Sequence, residues 1–215
     1  MIERVYKQCE LAKGIDKVFV ATDHNEIKNE ITRFGGRIIM TKSSHVSGTD
    51  RIYEAATIAR ADEDSVVINV QGDEPLIDPS VISAVAKMMA KDESILVGTP
   101  IALITSEQEF TNPNVVKVVL DANKNALYFS RAGIPFQREA KYVKHYKHIG
   151  VYGYRMSALK RFTQLKEGAL EKSERLEQLR FLEAGVPIRC VEVQYESIAV
   201  DVPEDIAKVE ARLKQ

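Results

Sequence analysis

The chain has 215 residues, with 30 basic and 31 acidic side chains and a formal net charge of −1. Non-specific nucleic-acid binding depends on clustered excess Lys and Arg, so this balance gives no reason to expect a nucleic-acid partner. No apolar run approaches the roughly 20 residues that cross a bilayer, and we expect no membrane partner. Only two cysteines are present, Cys9 and Cys190, which is typical of a reducing, cytoplasmic compartment.

Short β-branched runs alternate with amphipathic stretches along the chain, which predicts an α/β fold of a mostly parallel sheet covered by helices. We expect one domain over residues 1–215. The predicted strands cover 17–21, 37–40, 66–70, 95–100, 115–120, 126–129, 147–155 and 188–193. The predicted helices cover 5–12, 26–34, 49–61, a segment from Pro79, 171–183 and 203–213.

The printed chain opens inside a predicted helix. A doubly wound domain normally begins with a strand whose following loop grips phosphates. We therefore expect the first strand and its loop to be missing from the fold.

The first polar motif, from Ser47 to Arg51, joins a loop to a helix. Small residues, free backbone N–H groups and an arginine suit an anion site. The residues by themselves favour a simpler interpretation, in which Thr49 caps the helix and Arg51 lies in solvent.

The segment from Gln71 to Pro75 follows the apolar run 66–70, which we expect to be a central strand buried on both faces. Ligands of open α/β sheets bind beyond the carboxyl ends of the strands, where Gly72 permits a turn and Asp73 and Glu74 supply carboxylates. Such a site suits Mg²⁺, which needs only one or two carboxylates when phosphates supply other oxygens. The alternative is a polar turn that merely ends the strand.

Two later motifs are ambiguous by their spacing. His145 and His148 stand three apart in a stretch predicted to be loop and strand. In a strand this odd offset sends the two side chains to opposite faces, so a zinc pair is not expected. His148 alone suits the core, the surface or a substrate oxygen. Glu177 and Gln178 lie within the predicted helix 171–183, where such residues commonly face solvent.

Asp201 precedes Val202 and Pro203, and proline suits the first helical position. Asp201 is one residue too early for an ordinary helix cap. An acid in this place is either a second metal ligand beyond a strand end or a turn residue, and the spacing favours neither.

Taken together and in order, these segments resemble the 3-deoxy-manno-octulosonate (Kdo) cytidylyltransferases, the CMP-Kdo synthetases of lipopolysaccharide biosynthesis. The resemblance covers essentially the whole chain. The matching motifs are VATD (20–23), MT (40–41), HVSGTDR (45–51), NVQGDEPLI (69–77), NPNVVKVV (112–119), ALYFSR (126–131), KHIGVY (147–152), LEQLR (176–180) and VDVPED (200–205).

The resemblance implies a Rossmann-like three-layer nucleotidyltransferase fold, a homodimer, and the Mg²⁺-dependent reaction of CTP with Kdo to give CMP-Kdo and pyrophosphate. It implies that Asp73 and Asp201 are catalytic and hold the metal, and that Ser47 and Arg51 lie near the nucleotide. The sugar acid would be held by Gln71, Arg131, His148, Tyr152, Glu177 and Gln178.

The sequence departs from the family pattern in two places. Val202 stands where the family has threonine, which removes a helix cap typically worth ~1 kcal/mol. The family's first strand and its phosphate-gripping loop have no counterpart, so we expect the printed chain to bind CTP poorly. The alternatives are a related cytidylyltransferase for 8-amino-Kdo or a sialic acid, and a truncated, catalytically impaired homologue that only dimerises or binds ligand.

Overall fold

The computed structural model describes residues 1–139 and 144–195, together with 209, 211 and 212. Its helices are α1 (Ile2–Leu11), α2 (Asn25–Arg33), α3 (Gly48–Ile58), α4 (Pro79–Lys91), α5 (Glu107–Thr111), α6 (Met156–Phe162), α7 (Ala169–Glu174) and α8 (Leu179–Glu183). Its strands are β1 (Val20–Thr22), β2 (Ile38–Met40), β3 (Val66–Asn69), β4 (Val97–Leu103), β5 (Lys117–Leu120), β6 (Ala126–Ser130), β7 (Tyr146–His148), β8 (Tyr152–Arg155) and β9 (Ile188–Glu192).

Helix α4 shows how local sequence produces these elements. Pro79 occupies its first turn, and the Asp78 carboxylate accepts the Ser80 N–H at 2.7 Å as the N-cap. The buried residues Val81, Val85 and Met89 recur at helical spacing and turn one apolar stripe towards the sheet.

The α/β class is confirmed, and the sheet is mixed rather than mostly parallel. Strand β8 runs antiparallel to both β3 and β4, whereas β9 runs parallel to β4. Strands β3, β4 and β9 therefore share one direction, and β8, which runs in the opposite direction, lies between β3 and β4. Pairing of β7 with β4 and β5, and of β5 with β6, is also antiparallel. A hydrophobic run does not encode its direction, so the sequence could not reveal this reversal.

The core lies on both faces of the larger sheet. Val97 and Ile101 of β4 belong to a cluster with residues of α6 and α8, and Ala102 belongs to a second cluster with residues of α1 and α4. Neighbouring strand residues point to opposite faces, so helices cover the sheet on two sides and the fold has three layers.

Close packing of α4 on the sheet depends on two glycines that pair across β4 and β8. A Cβ atom at Gly98 would lie 2.5 Å from the Met88 Cε, and one at Gly153 would lie 2.9 Å from a Val85 methyl group. Gly153 therefore serves packing between helix and sheet.

Two predicted elements are interrupted in the structure. The predicted strand 147–155 divides into β7 and β8, because the chain turns at 149–151 and the Val151 N–H bonds to the Ile149 carbonyl at 2.7 Å. The predicted helix 171–183 divides into α7 and α8, since Arg175 adopts a left-handed conformation with φ of 55°. Helices α5 and α6 were not predicted, and the predicted helix 203–213 lies almost wholly outside the described residues.

Candidate active site

A groove of about 2510 Å³ runs along β3 and continues to the turn after its carboxyl end. Residues of β1 line one part of it and residues of β3 another. Among the described residues, strand β3 is the edge strand of the larger sheet, so it is half-buried rather than the expected central strand covered on both faces. The predicted site residues that line this groove are Arg51, Gln71, Asp73, Arg131, His148, Tyr152, Glu177 and Gln178. Asp201 lies outside the described residues.

The segment 47–51 forms the predicted helix start, with a different cap. Ser47, not Thr49, is the N-cap of α3, because its hydroxyl accepts the Asp50 N–H at 3.1 Å and donates to the Asp50 carboxylate at 2.8 Å. Arg51 is not simply solvated: it forms an ion pair with Asp23 at 3.0 Å and donates to the Thr41 hydroxyl at 2.7 Å.

Glu177 joins the α7–α8 break to the start of α3. Its carboxylate accepts the N–H groups of Gly48 and Thr49 at 3.1 and 3.3 Å, and the Thr49 hydroxyl at 2.9 Å. A carboxylate is favoured at a helix N-terminus by the unpaired N–H groups and the helix dipole. Glu177 therefore already occupies this anion-binding position, and it is not the solvent-facing residue that the helical spacing predicts.

The turn after β3 brings Gln71 and Asp73 to the groove. Glu74 is buried and accepts the Tyr195 hydroxyl at 3.2 Å, so the two adjacent carboxylates have different surroundings. Gly150, in the break between β7 and β8, leaves room for Gln71, because a Cβ atom at Gly150 would approach the Gln71 amide nitrogen to 3.2 Å.

Backbone carbonyls hold Arg131 in place. Its guanidinium donates to the carbonyls of Glu174 at 2.8 Å and Pro113 at 3.1 Å. The fully buried ammonium of Lys117 donates to the carbonyls of Asn112, Val115 and Arg131 at 2.8, 2.5 and 2.6 Å. The turn at 112–114 and Arg131 are thus tied to one lysine, although burial lowers its pKa.

His148 is neutral in the folded protein. Its ring packs against Phe129 and Tyr152 with centroids 5.2 and 5.1 Å apart, and this burial lowers its pKa to about 3. Burial also raises the Tyr152 pKa well above its ordinary value, so the phenol keeps its proton. Both groups therefore offer neutral hydrogen bonds to a ligand in the groove.

The groove also contains polar residues that the sequence analysis did not select. Lys147 pairs with Glu109, and Asn112, Asn114 and Arg175 line the wall near Arg131. Their only sequence signal is membership of, or closeness to, the motifs 112–119, 147–152 and 176–180. Lys117 and Thr99 lie within apolar strand patterns and carry no separate signal.

Asp73 is the described carboxylate best placed for a metal ion at the β3 turn. No three acidic, histidine or cysteine side chains converge to hold an ion within the described part of the chain. One or two protein carboxylates suffice for Mg²⁺ when phosphates and water complete its octahedron, so Asp73 at an open groove is compatible with such an ion.

Comparisons with known proteins agree with this site. A family model described as Cytidylyltransferase matches residues 1–197. The chain is 46% identical to the 3-deoxy-manno-octulosonate cytidylyltransferase of Syntrophus aciditrophicus (strain SB), covering 97% of this chain and 85% of that protein. It is 45% identical to the 8-amino-3,8-dideoxy-manno-octulosonate cytidylyltransferase of Shewanella pealeana (strain ATCC 700345 / ANG-SQ1), covering 99% and 87%.

A solved structure of a CMP:2-keto-3-deoxy-manno-octonic acid synthetase in complex with CTP superposes with a TM-score of 0.92. It is 38% identical to this chain, and the match covers 100% of this chain and 87% of that one. Among the described residues, no helix is long and apolar enough to span a membrane.

Proposed function

The chain belongs to the 3-deoxy-manno-octulosonate cytidylyltransferase family, and we propose that it transfers the cytidylyl group of CTP to Kdo, producing CMP-Kdo and pyrophosphate. The observation that carries this proposal is that Asp73, Arg131 and His148, which come from separate parts of the chain, all line one groove. The proposed product serves lipopolysaccharide biosynthesis.

The reaction joins the anomeric hydroxyl of Kdo to the α-phosphorus of CTP and releases pyrophosphate. We propose that Asp73 and Asp201 hold Mg²⁺, which when bound neutralises phosphate charge and aligns the attacking and leaving oxygens. Asp73 is suited to this role because it lies in the turn after β3, in the lining of the groove.

The sugar acid would lie against the wall formed by Arg131, His148 and the α7–α8 break. Arg131 supplies the positive charge for the Kdo carboxylate, and the backbone carbonyls around it orient the guanidinium before substrate arrives. Tyr152 and the amides of Gln71 and Gln178 would bond to sugar hydroxyls. The Glu177 carboxylate would accept a further hydrogen bond from a sugar hydroxyl, beside those that it accepts from α3.

The nucleotide would lie towards α3. Arg51 lines the groove there and is held by Asp23 and Thr41, and Ser47 begins the same helix. Glu177 contacts α3 and also reaches the sugar wall, so it connects the two proposed subsites. We further propose a cytoplasmic homodimer.

The test is turnover of CTP with Kdo, measured as pyrophosphate release over a wide range of CTP and Mg²⁺ concentrations. Asp73→Asn should lower kcat by about a hundredfold or more, because a metal ligand contributes several kcal/mol of transition-state stabilisation. Asp78→Asn is the matched control, since Asp78 caps α4 and asparagine caps equally well.

Parental activity and Mg²⁺ dependence in Asp73→Asn would exclude Asp73 as a metal ligand. The 45% identity to an 8-amino-Kdo enzyme makes that sugar the necessary competitor in the assay. Kdo should give the higher kcat/KM. A preference for the 8-amino sugar, or no turnover of either sugar at saturating CTP, would contradict the proposed substrate.

A further inference from the structure

Thr99 lies in contact with the Nε2 side of the His148 ring. It is fully buried in β4, with its hydroxyl towards the break between β7 and β8. Its hydroxyl oxygen lies 2.9 Å from the His148 Nε2, 2.7 Å from the Val151 carbonyl oxygen and 3.4 Å from the Ile149 carbonyl oxygen.

The hydroxyl has one proton, and its neighbours determine where that proton points. The two carbonyl oxygens accept hydrogen bonds only, so the Thr99 proton is donated to them, most directly to Val151. The remaining short contact, to His148 Nε2, then requires a proton on the histidine nitrogen. Since the ring is neutral, Nε2 carries its single proton and Nδ1 carries the lone pair.

The Nδ1 atom is accessible rather than sealed in the core. It makes no hydrogen bond to the described residues. In that part of the chain, every side-chain nitrogen that is hidden from solvent in a residue that is not exposed has a hydrogen-bond partner, so Nδ1, which has none, is not hidden. His148 is a lining residue of the groove, beside Tyr152.

We propose that Thr99 is a positioning residue that fixes the Nε2–H tautomer of His148, so that Nδ1 presents an acceptor selecting a hydroxyl group of the sugar. A hydroxyl or another N–H or O–H donor fits this nitrogen, whereas an acceptor-only group, such as a ring ether oxygen or a carboxylate, is rejected. The tautomer assignment stands on the structure alone, and the sugar hydroxyl as ligand rests on the proposed function.

Nitrogen-15 NMR of the ligand-free protein tests the tautomer, with His148→Gln used to assign the signals. In the wild-type protein, His148 should show a protonated, pyrrole-type Nε2 and an unprotonated, pyridine-type Nδ1. Thr99→Val keeps the side-chain shape and removes the hydroxyl, so Nδ1–H should become populated. Thr99→Ser keeps the hydroxyl and should restore the wild-type pattern.

Steady-state kinetics test whether His148 selects a hydrogen-bond donor of the sugar. Thr99→Val should raise KM for the sugar acid about tenfold, the effect of one hydrogen bond, and change KM for CTP less than twofold. Thr99→Ser should recover most of the sugar affinity. If Thr99 only supported the fold, Thr99→Val would change the KM values of both the sugar acid and CTP.

A wild-type spectrum with protonated Nδ1 overturns the proposal, even if Thr99→Val fails to fold. So does a Thr99→Val protein with an unchanged tautomer and unchanged sugar KM. If Kdo is not turned over, the proposed function fails, while the spectrum still decides the tautomer.

Discussion

Glu177 is separated by 129 residues from Gly48, the start of the helix whose N–H groups it accepts. Its charge offsets the unpaired donors of α3, and the loop that carries it also contributes Gln178 to the groove. Through its bonds to α3 and its place in the groove lining, Glu177 links the proposed sugar wall to the proposed nucleotide side. Its stabilising contact and its proposed substrate contact therefore have to be measured separately.

His148 makes folding stability depend on pH. In the unfolded chain its pKa is about 6.5, whereas in the folded protein it is about 3. Between these values only the unfolded state binds the proton, so the contribution is complete above pH 6.5 and is lost as the pH falls towards 3. We expect His148 to cost up to ~1.4 kcal/mol of unfolding free energy per pH unit in this window.

Urea denaturation at pH 7 and pH 5 measures this dependence. His148→Gln retains a donor for Thr99 and should lose less stability between the two pH values than the wild type. His24→Gln, at a side chain that is 74% exposed, is the control for loss of a surface histidine and should follow the wild type. Equal pH dependence in all three proteins would show that His148 is not held neutral.

At the scale of elements, a buried ion pair joins α7 to α8. The Arg180 guanidinium donates two 2.6 Å bonds to the Glu171 carboxylate and stacks 4.2 Å from the centre of the Phe162 ring. Glu171→Gln leaves a poorly solvated arginine without its counter-charge. We expect a loss of about 3–5 kcal/mol of unfolding free energy by chemical denaturation.

The matched control is Glu167→Gln, which removes an exposed pair with Lys172 at 3.9 Å and should change stability by less than about 1 kcal/mol. Similar losses in both variants would contradict the role of the buried pair. Because α7 and α8 flank the break that carries Glu177 and Gln178, Glu171→Gln should also weaken sugar binding.

Elements with local signals were predictable, and those broken by distant contacts were not. Pro79 and Gly35 mark a helix start and a helix end in the sequence, and the structure confirms both. The break at Arg175 gives no such signal, because arginine is an ordinary helix former and its left-handed conformation depends on tertiary context. Gln71, Arg131 and His148 were selected through the family resemblance, whereas Thr99 and Lys117 appear only from their contacts.

At the scale of the whole molecule, the described strands form two separate sheets. Strands β1 and β2 pair only with each other among the described residues, while β3 to β9 form a seven-stranded sheet. The groove borders both β1 and β3. A two-stranded sheet is only marginally stable by itself, so β1 and β2 depend on their packing against α2 and α3.

This arrangement predicts unequal local stability, measurable by amide hydrogen exchange of the ligand-free protein. The amides of Ala21 and Ile39 should exchange at least about tenfold faster than those of Gly98 and Tyr154, because small units open at lower free energy than the central sheet. The comparison uses strand amides in both sheets, so intrinsic exchange rates can be corrected residue by residue. Equal protection of the two sheets would mean that they open as one cooperative unit and that the groove does not divide the molecule energetically.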